Sequence, residues 1–540
     1  MNYSAKSCGI QLMELLKNYG TDLIFGIPGV HTLELYRGIA ASGIRHITPR
    51  HEQGAGFMAD GYARATGKVG VFCTITGPGI TNAATALAQS YSDSVPILAI
   101  SSVNKTSSLG QGQGDLHELR SQQKLVQQVT RFSHTVLDVE SVAQIIASAY
   151  ASFHTQRPLP VHIEFPIDLI ARSVHWSADD VVEPKQSIPL PVAEIEKAAQ
   201  LLLNTDNLAV ILGGGSKHAA QQAVQIVELL NTAVVTTFGG KGIVPENHPL
   251  SLGANLLHPP VLDFVKHADA VLAVGTHLSE TDIWSRDGNI EFDGKLIRID
   301  IDADQINQNA VADLGLLGDS RQILQALAKL LSNSDYPLRP DRKTKQAQVK
   351  DLLTKSHQYW YPDTPQCKQV WDAIRRALPA DGIVTADSTK LVYSGNFVYP
   401  AVAPRTYLTS TTGYGTLGYA LPAAIGAKLG KPRVPVVCVI GDGGIMYTLS
   451  ELATAVEHKL PIVVVLWHNE GYGIIRDYFR ESRIPLLGVD LKMPDFIEIA
   501  KGFGCYGERV DSLANFEIQL KTAFERDRPT LLEIHPDRIF

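Results

Sequence analysis

Short runs of Val, Ile and Leu recur along the chain, each separated by a longer stretch in which apolar residues return at helical spacing. The runs cover 70–76, 96–101, 160–165, 208–212, 233–237, 270–275, 296–300, 382–386, 434–440, 462–467 and 530–534. They are apolar at most positions rather than strictly alternating. That suits parallel strands buried on both faces, with the intervening segments as crossover helices. The pattern predicts an α/β chain built from several doubly wound parallel sheets. Two stretches interrupt it: 183–192 (EPKQSIPLPV) carries three prolines, and 332–345 mixes proline with charge and lacks apolar periodicity. They divide the chain into three expected domains, 1–182, 190–335 and 350–540, each the size of a single hydrophobic core.

Composition then narrows the class. Apolar residues at 45% and charged residues at 19% fit a globular chain and argue against disorder. The 48 basic and 55 acidic side chains leave a net charge of -7, with no basic run, so neither nucleic acid nor an anionic membrane is expected as a partner. The five cysteines, Cys8, Cys73, Cys367, Cys438 and Cys505, form no Cys-x-x-Cys pair, which points to buried thiols and a reducing compartment. The N-terminus lacks a secretory apolar core, and the longest apolar runs fall far short of a membrane span. A soluble, cytoplasmic protein is expected.

The strongest chemical signal lies between 434 and 473. A buried strand runs into Gly441-Asp442-Gly443-Gly444, a helical stretch follows, and a second buried strand ends at His468-Asn469-Glu470-Gly471-Tyr472-Gly473. Asp442 and Asn469, 27 residues apart, therefore fall at the C-terminal tips of two strands joined by one crossover, where open α/β sheets bind ligands. A carboxylate, an amide oxygen and a backbone carbonyl form a hard oxygen set that suits Mg2+, with open positions left for phosphate and water. The glycines let backbone N–H groups approach a diphosphate at the start of the following helix. Alone, Gly-Asp-Gly is only a tight turn; the full spacing is more specific. The segment resembles the thiamine diphosphate motif, which implies metal ligands at Asp442, Asn469 and the Gly471 carbonyl. One departure is that His468 replaces the first Asn of the usual pair.

A second block lies near the N-terminus. Gly26-Ile27-Pro28-Gly29-Val30 follows a short strand, Arg50-His51-Glu52 leads into a helix, and Thr76-Gly77-Pro78-Gly79 with Asn82 comes next. Glu52 alone would read as a first-turn acid complementing the helix dipole. In this context the block resembles the pyrimidine-binding domain of the acetolactate synthase and 2-oxo acid decarboxylase family. The resemblance implies that Glu52 hydrogen-bonds the cofactor's aminopyrimidine, and that Gly26, Pro28, Thr76, Pro78, Asn82, Ser388, Gly443, Gly444 and Tyr472 line the cofactor site. A buried carboxyl with a raised pKa suits the sharing of a proton with the ring. Gly413–Gly418 (GYGTLG) supplies, by the same resemblance, the wedge Leu417 and a carbonyl acceptor at Gly415.

Those six residues also spell Gly-x-Gly-x-x-Gly, the dinucleotide fingerprint, and a dehydrogenase with Asp442 as its ribose acid is the main competing function. The polar LTSTT before Gly413 and the Asp442–Asn469 pairing argue against it. A non-catalytic relic is disfavoured because Glu52, Asp442 and Asn469 are all present.

The resemblance covers essentially the whole chain, including a central domain where acetolactate synthases bind FAD. Here Gly275-Thr276-His277-Leu278-Ser279-Glu280-Thr281-Asp282 replaces the synthase pattern, which argues against a flavin. Within the family the sequence is most similar to the 5-guanidino-2-oxopentanoate decarboxylase branch, which implies release of CO2 and an aldehyde from a small 2-oxo acid. The alternative is joining two oxo acids, as a synthase does. His117, where synthases carry a Phe-Gln pair, is a candidate proton relay; a surface-loop histidine is the competing reading. Val30, His117, Arg476 and Asp477 are candidate substrate residues. A cationic tail would need an acid, for which Asp115, Glu118, Asp282, Asp387 and Asp477 stand open. The resemblance also implies a homodimer or homotetramer with active sites at subunit interfaces.

Overall fold

The computed structural model describes residues 6–179, 188–283, 290–332 and 342–540. Parts of both predicted interruptions, 183–187 and 333–341, lie outside the described residues.

The first sheet contains β1 (Leu23–Gly26), β2 (Arg45–Ile47), β3 (Gly70–Thr74), β4 (Ile97–Val103), β5 (Ser133–Thr135) and β6 (Val161–Pro166), in the order β2-β1-β3-β4-β6-β5. The second contains β7 (Leu208–Leu212), β8 (Ala233–Thr236), β9 (Ala270–Val274), β10 (Lys295–Asp300) and β11 (Leu314–Leu317), in the order β11-β10-β9-β7-β8. The third contains β12 (Ile383–Ala386), β13 (Tyr407–Thr409), β14 (Val436–Gly441), β15 (Ile462–Trp467), β16 (Tyr506–Arg509) and β17 (Thr530–Ile534), in the order β13-β12-β14-β15-β17-β16. All pairings between these strands are parallel, as the unbroken apolar runs require. The first and third sheets share one strand order, so the two outer domains repeat a single topology.

Those two domains also share a core. Phe25, Met58, Phe72 and Leu87 of the first pack in one apolar cluster with Leu421, Ile425, Val464 and Leu531 of the third. The contact is made by the helices Glu52–Thr66 and Ala420–Gly430, whose backbones nearly touch. A Cβ added at Gly426 would lie 1.9 Å from the Met58 carbonyl oxygen, and one at Gly61 would lie 2.1 Å from that of Ala423. The small residues of both helices allow this approach, which fixes the Glu52 helix against the third domain. The central sheet keeps its own clusters on its two faces. No helix among the described residues is long and apolar enough to cross a membrane.

All five cysteines are free and buried. Burial pushes the thiols of Cys8, Cys73, Cys367 and Cys505 up to about 12 and raises that of Cys438 well above its ordinary value. Two outcomes follow. A thiol reagent at neutral pH should label none of the five until the protein unfolds, which mass spectrometry would read. Gly426→Ala should destabilise the fold by about 1–3 kcal/mol through overpacking, whereas Gly502→Ala, with open space around it, should leave the melting temperature unchanged or raised.

Candidate active site

β14 and β15 are adjacent, with Gly441 opposite Trp467, so Asp442 and the 468–473 turn emerge side by side. Asp442 is buried at the start of the helix Asp442–Ile445. Its Oδ1 accepts from the Gly443 N–H at 2.8 Å and its Oδ2 from the Gly471 N–H at 3.1 Å. One end of the Asn469 amide enters the same notch, 3.2 Å from Asp442 Oδ1 and 3.0 Å from the Gly471 carbonyl oxygen, and without an ion the contacts favour its nitrogen there. With the amide oxygen facing in instead, three oxygens this close would repel unless a cation joined them. An octahedral Mg2+ with bonds of about 2.1 Å sets its neighbouring oxygens about 3 Å apart. Turned over, the amide would instead donate to both oxygens. The notch thus closes by hydrogen bonds or opens for a divalent ion, and the residues fit the metal. Burial pushes the Asp442 carboxyl above the ordinary carboxylate range, and a bound cation would reverse that shift.

The surrounding residues hold this geometry. Arg476 donates to the carbonyls of Asn469 (3.2 Å) and Glu470 (2.7 Å) and pairs with Asp490 at 2.6 Å. It therefore straps the turn, and this contact set supports positioning rather than the substrate contact expected from sequence. Asp477 pairs with Lys390 and sits 3.7 Å from Arg480, so its charge is already met. His468 places Nδ1 2.8 Å from Glu533 and Nε2 3.8 Å from Asp442. The Tyr472 ring covers Gly443, where a Cβ would meet it at 2.9 Å. Asp387, pushed up to about 7 by burial, accepts from the N–H groups of Ser388 (2.8 Å) and Gly418 (2.7 Å). Its Oδ2 would lie 3.0 Å from a Cβ at Gly444. One buried carboxyl thereby ties Ser388 to Gly418, at the end of the Gly415–Leu417 loop, and lies close beside Gly444.

That loop also touches the first domain, where Gln89 accepts from the Thr416 N–H at 3.0 Å. Leu417 is half-buried, and Gly415 is exposed with φ +69°. The stretch before Gly413, polar in sequence, includes the strand β13, so its polarity does not count against a dinucleotide turn. The loop's own ties to Asp387 and Gln89 do.

On the first-domain side, Glu52 opens the helix Glu52–Thr66, capped by the His51 ring accepting from Gln53 N–H. Asn82 donates to Glu52 Oε2 at 2.9 Å, so the two expected cofactor residues meet. Glu52 is only half-buried; the dry pocket expected around it is not enclosed by this chain alone. Gly26 ends β1, Pro28 and Val30 are exposed, and Thr76 bonds Ser102 through N and Oγ at 3.1 Å. Gly77, at φ +69°, lies so close to His117 that a Cβ would meet its carbonyl oxygen at 2.4 Å. His117 itself has φ +62° and packs edge-on to His31, ring centroids 5.6 Å apart.

Two positioning residues escaped the sequence reading. Glu451, from the third domain, accepts from the N–H groups of Arg50 (3.0 Å) and His51 (3.1 Å) and so seats the Glu52 helix. Gln122 accepts from Gly77 N–H at 2.9 Å and donates to Glu164 at 3.0 Å, fixing the Thr76–Pro78 turn. Neither has a local signature, because both partners are distant in sequence. Among the described residues no hydrogen bond or ion pair joins the Glu52–Asn82 pair to the Asp442 notch. Both faces carry exposed apolar side chains, among them Val30 and Leu116 on one and Tyr447 and Met446 on the other.

Three family models match the chain. The N-terminal TPP binding domain of thiamine pyrophosphate enzymes matches residues 7–128, the central domain 195–327 and the C-terminal TPP binding domain 389–534. A Pseudomonas aeruginosa protein named "Probable 2-ketoarginine decarboxylase AruI" is 44% identical over 531 residues, covering 98% of this chain and 94% of that protein. The Escherichia coli "Acetolactate synthase isozyme 3 large subunit" is 31% identical over 95% of this chain and 91% of its own length. A Methanococcus aeolicus "Probable acetolactate synthase large subunit" is 30% identical over 97% and 91%.

Replacing the amide oxygen in Asn469→Leu should weaken Mg2+ affinity at least tenfold in a calorimetric titration made with thiamine diphosphate present. Equal affinity in variant and parent would remove Asn469 from the ion site.

Proposed function

The chain belongs to the thiamine pyrophosphate enzyme family, and on that premise we propose that it releases CO2 and an aldehyde from a 2-oxo acid, non-oxidatively. The observation that carries the cofactor assignment is the oxygen notch at two adjacent strand tips. Identity of 44% over nearly the whole length to a protein named for 2-ketoarginine supports the decarboxylase branch, with 5-guanidino-2-oxopentanoate as the proposed substrate. The synthases, at 30–31%, support carboligation less strongly.

When bound, thiamine diphosphate supplies a carbon nucleophile and an electron sink for the bond to the departing carboxylate. The protein's own residues do the rest. Asp442, Asn469 and the Gly471 carbonyl would hold Mg2+, and the Gly443 and Gly444 backbone and Tyr472 would line the diphosphate. Ser388, Gly26, Pro28, Thr76 and Pro78 would complete the cofactor's walls, with Leu417 and the Gly415 carbonyl bracing its rings. Glu52, steadied by the Asn82 amide, would hold a proton at the aminopyrimidine nitrogen. His117 would deliver a proton near the reacting carbon, beside Val30. No flavin is included in the proposal. A Cβ at Gly213 would lie 2.2 Å from the Gly275 carbonyl oxygen, and Gly215 N–H donates to that oxygen at 3.0 Å, so the glycine triplet is engaged in packing.

We further propose a homodimer or homotetramer in the cytoplasm, in which the first domain of one subunit faces the third domain of another. The domains are assigned as 1–182, 190–335 and 350–540. The exposed apolar residues on both half-sites and the partial exposure of Glu52 support this assembly.

Three outcomes are expected. Glu52→Gln should lower turnover by two or more orders of magnitude with little change in melting temperature; a mild effect would remove its proton-holding role. Aldehyde should be the dominant product when CO2 release is assayed with a panel of 2-oxo acids, whereas acetolactate from pyruvate as the fastest product would favour the synthase reading. Mixing the inactive Glu52→Gln and Asn469→Leu proteins under subunit exchange should restore part of the activity, because one hybrid interface then carries neither lesion. No recovery would argue for sites built within one chain.

A further inference from the structure

Resting on that decarboxylase reading, we propose that Asp115 and His31 recognise the guanidinium tail of the substrate. Five acids could face a cationic tail, and the structure engages four of them elsewhere. Glu118 accepts from the N–H groups of Gly112, Gly114 and Asp115 at 2.8, 2.7 and 3.2 Å. Asp282 is bound by Ser279 through N and Oγ, both at 3.2 Å. Asp387 staples Ser388 and Gly418, and Asp477 pairs with Lys390. Asp115 differs: its Oδ2 is buried and accepts no hydrogen bond from the protein.

His31 is the second unmatched group, since its Nδ1 is also buried without a partner. Burial lowers the His31 pKa, and His117 lowers it further against the pull of Asp115. The imidazole is therefore neutral near pH 7 and can offer a lone pair. Burying acceptors without donors is costly. A guanidinium ion carries donors only, in a planar fork, so it answers a carboxylate oxygen and an imidazole nitrogen together. An anionic tail would leave Asp115 worse off, and an uncharged one would leave its charge uncompensated.

The position suits the reaction. Asp115 and His117 share the loop that lies against Gly77, and Gly77 leads into the helix Pro78–Ser92, whose Asn82 holds Glu52. Val30 and Leu116, 62% and 60% exposed, adjoin the two polar groups and offer apolar surface to the methylene stem.

The test uses ligands that cannot react. The holoprotein is titrated calorimetrically with 5-guanidinopentanoate and with its neutral isostere 5-ureidopentanoate. The parent should prefer the guanidino compound by about tenfold or more, the scale of one charge-assisted hydrogen bond. Asp115→Asn should remove most of that preference, Asp115→Glu should keep part of it, and His31→Phe should reduce it. Retained thiamine diphosphate binding would show that each variant is folded. Equal affinity of the parent for both ligands, or an undiminished preference in Asp115→Asn, would overturn the assignment. Carbon dioxide release is measured separately. Asp115-dependent guanidino binding by a protein that decarboxylates no 2-oxo acid would sink the proposed activity and leave the tail site standing.

Discussion

Two adjacent strand tips that bring Asp442, Asn469 and the Gly471 carbonyl into one notch govern this molecule. Asp442 Oδ1 and the Gly471 carbonyl oxygen stand 3.2 and 3.0 Å from one end of the Asn469 amide, which donates to both with its nitrogen facing in and would join them around a cation with its oxygen facing in. Keeping them there requires two strands to end at one level and a turn to be strapped down. β14 and β15 do the first through their paired register. Arg476, reaching back to two carbonyls of the turn, does the second.

The other half of the site depends on a different constraint, the close crossing of two helices. Gly61 and Gly426 let the Glu52 helix settle against the third domain, and Glu451 fixes its first turn from across that boundary. The outer domains, alike in strand order, thus act as one rigid frame around a common core. The resulting surfaces are chemically distinct halves: one presents the Glu52 carboxyl held by Asn82, the other the Asp442–Asn469–Gly471 notch, and each is rimmed by exposed apolar residues. In that frame the proposed second subunit would supply what a single chain leaves open.

Much of this was legible from residue order alone, for identifiable reasons. Interior strands such as β14 and β15 are apolar at every position because both faces are buried. Edge strands β2, β5, β11 and β16 were missed, since each has only three or four residues and is partly exposed, which erases the pattern. The Asp442–Asn469 spacing was readable because one crossover fixes the distance between adjacent strand tips. The work of Glu451 and Gln122 was not, because their partners lie far along the chain. Arg476 shows the converse: its residue type suggested substrate, whereas its fork is spent on backbone carbonyls and Asp490.

The most direct test is an anomalous-difference map of crystals grown with Mn2+ and thiamine diphosphate. The account predicts one peak about 2.1 Å from Asp442 Oδ1, Asn469 Oδ1 and the Gly471 carbonyl oxygen together. A map with the cofactor in place and the peak elsewhere, or with the Asn469 amide nitrogen turned inward, would contradict it.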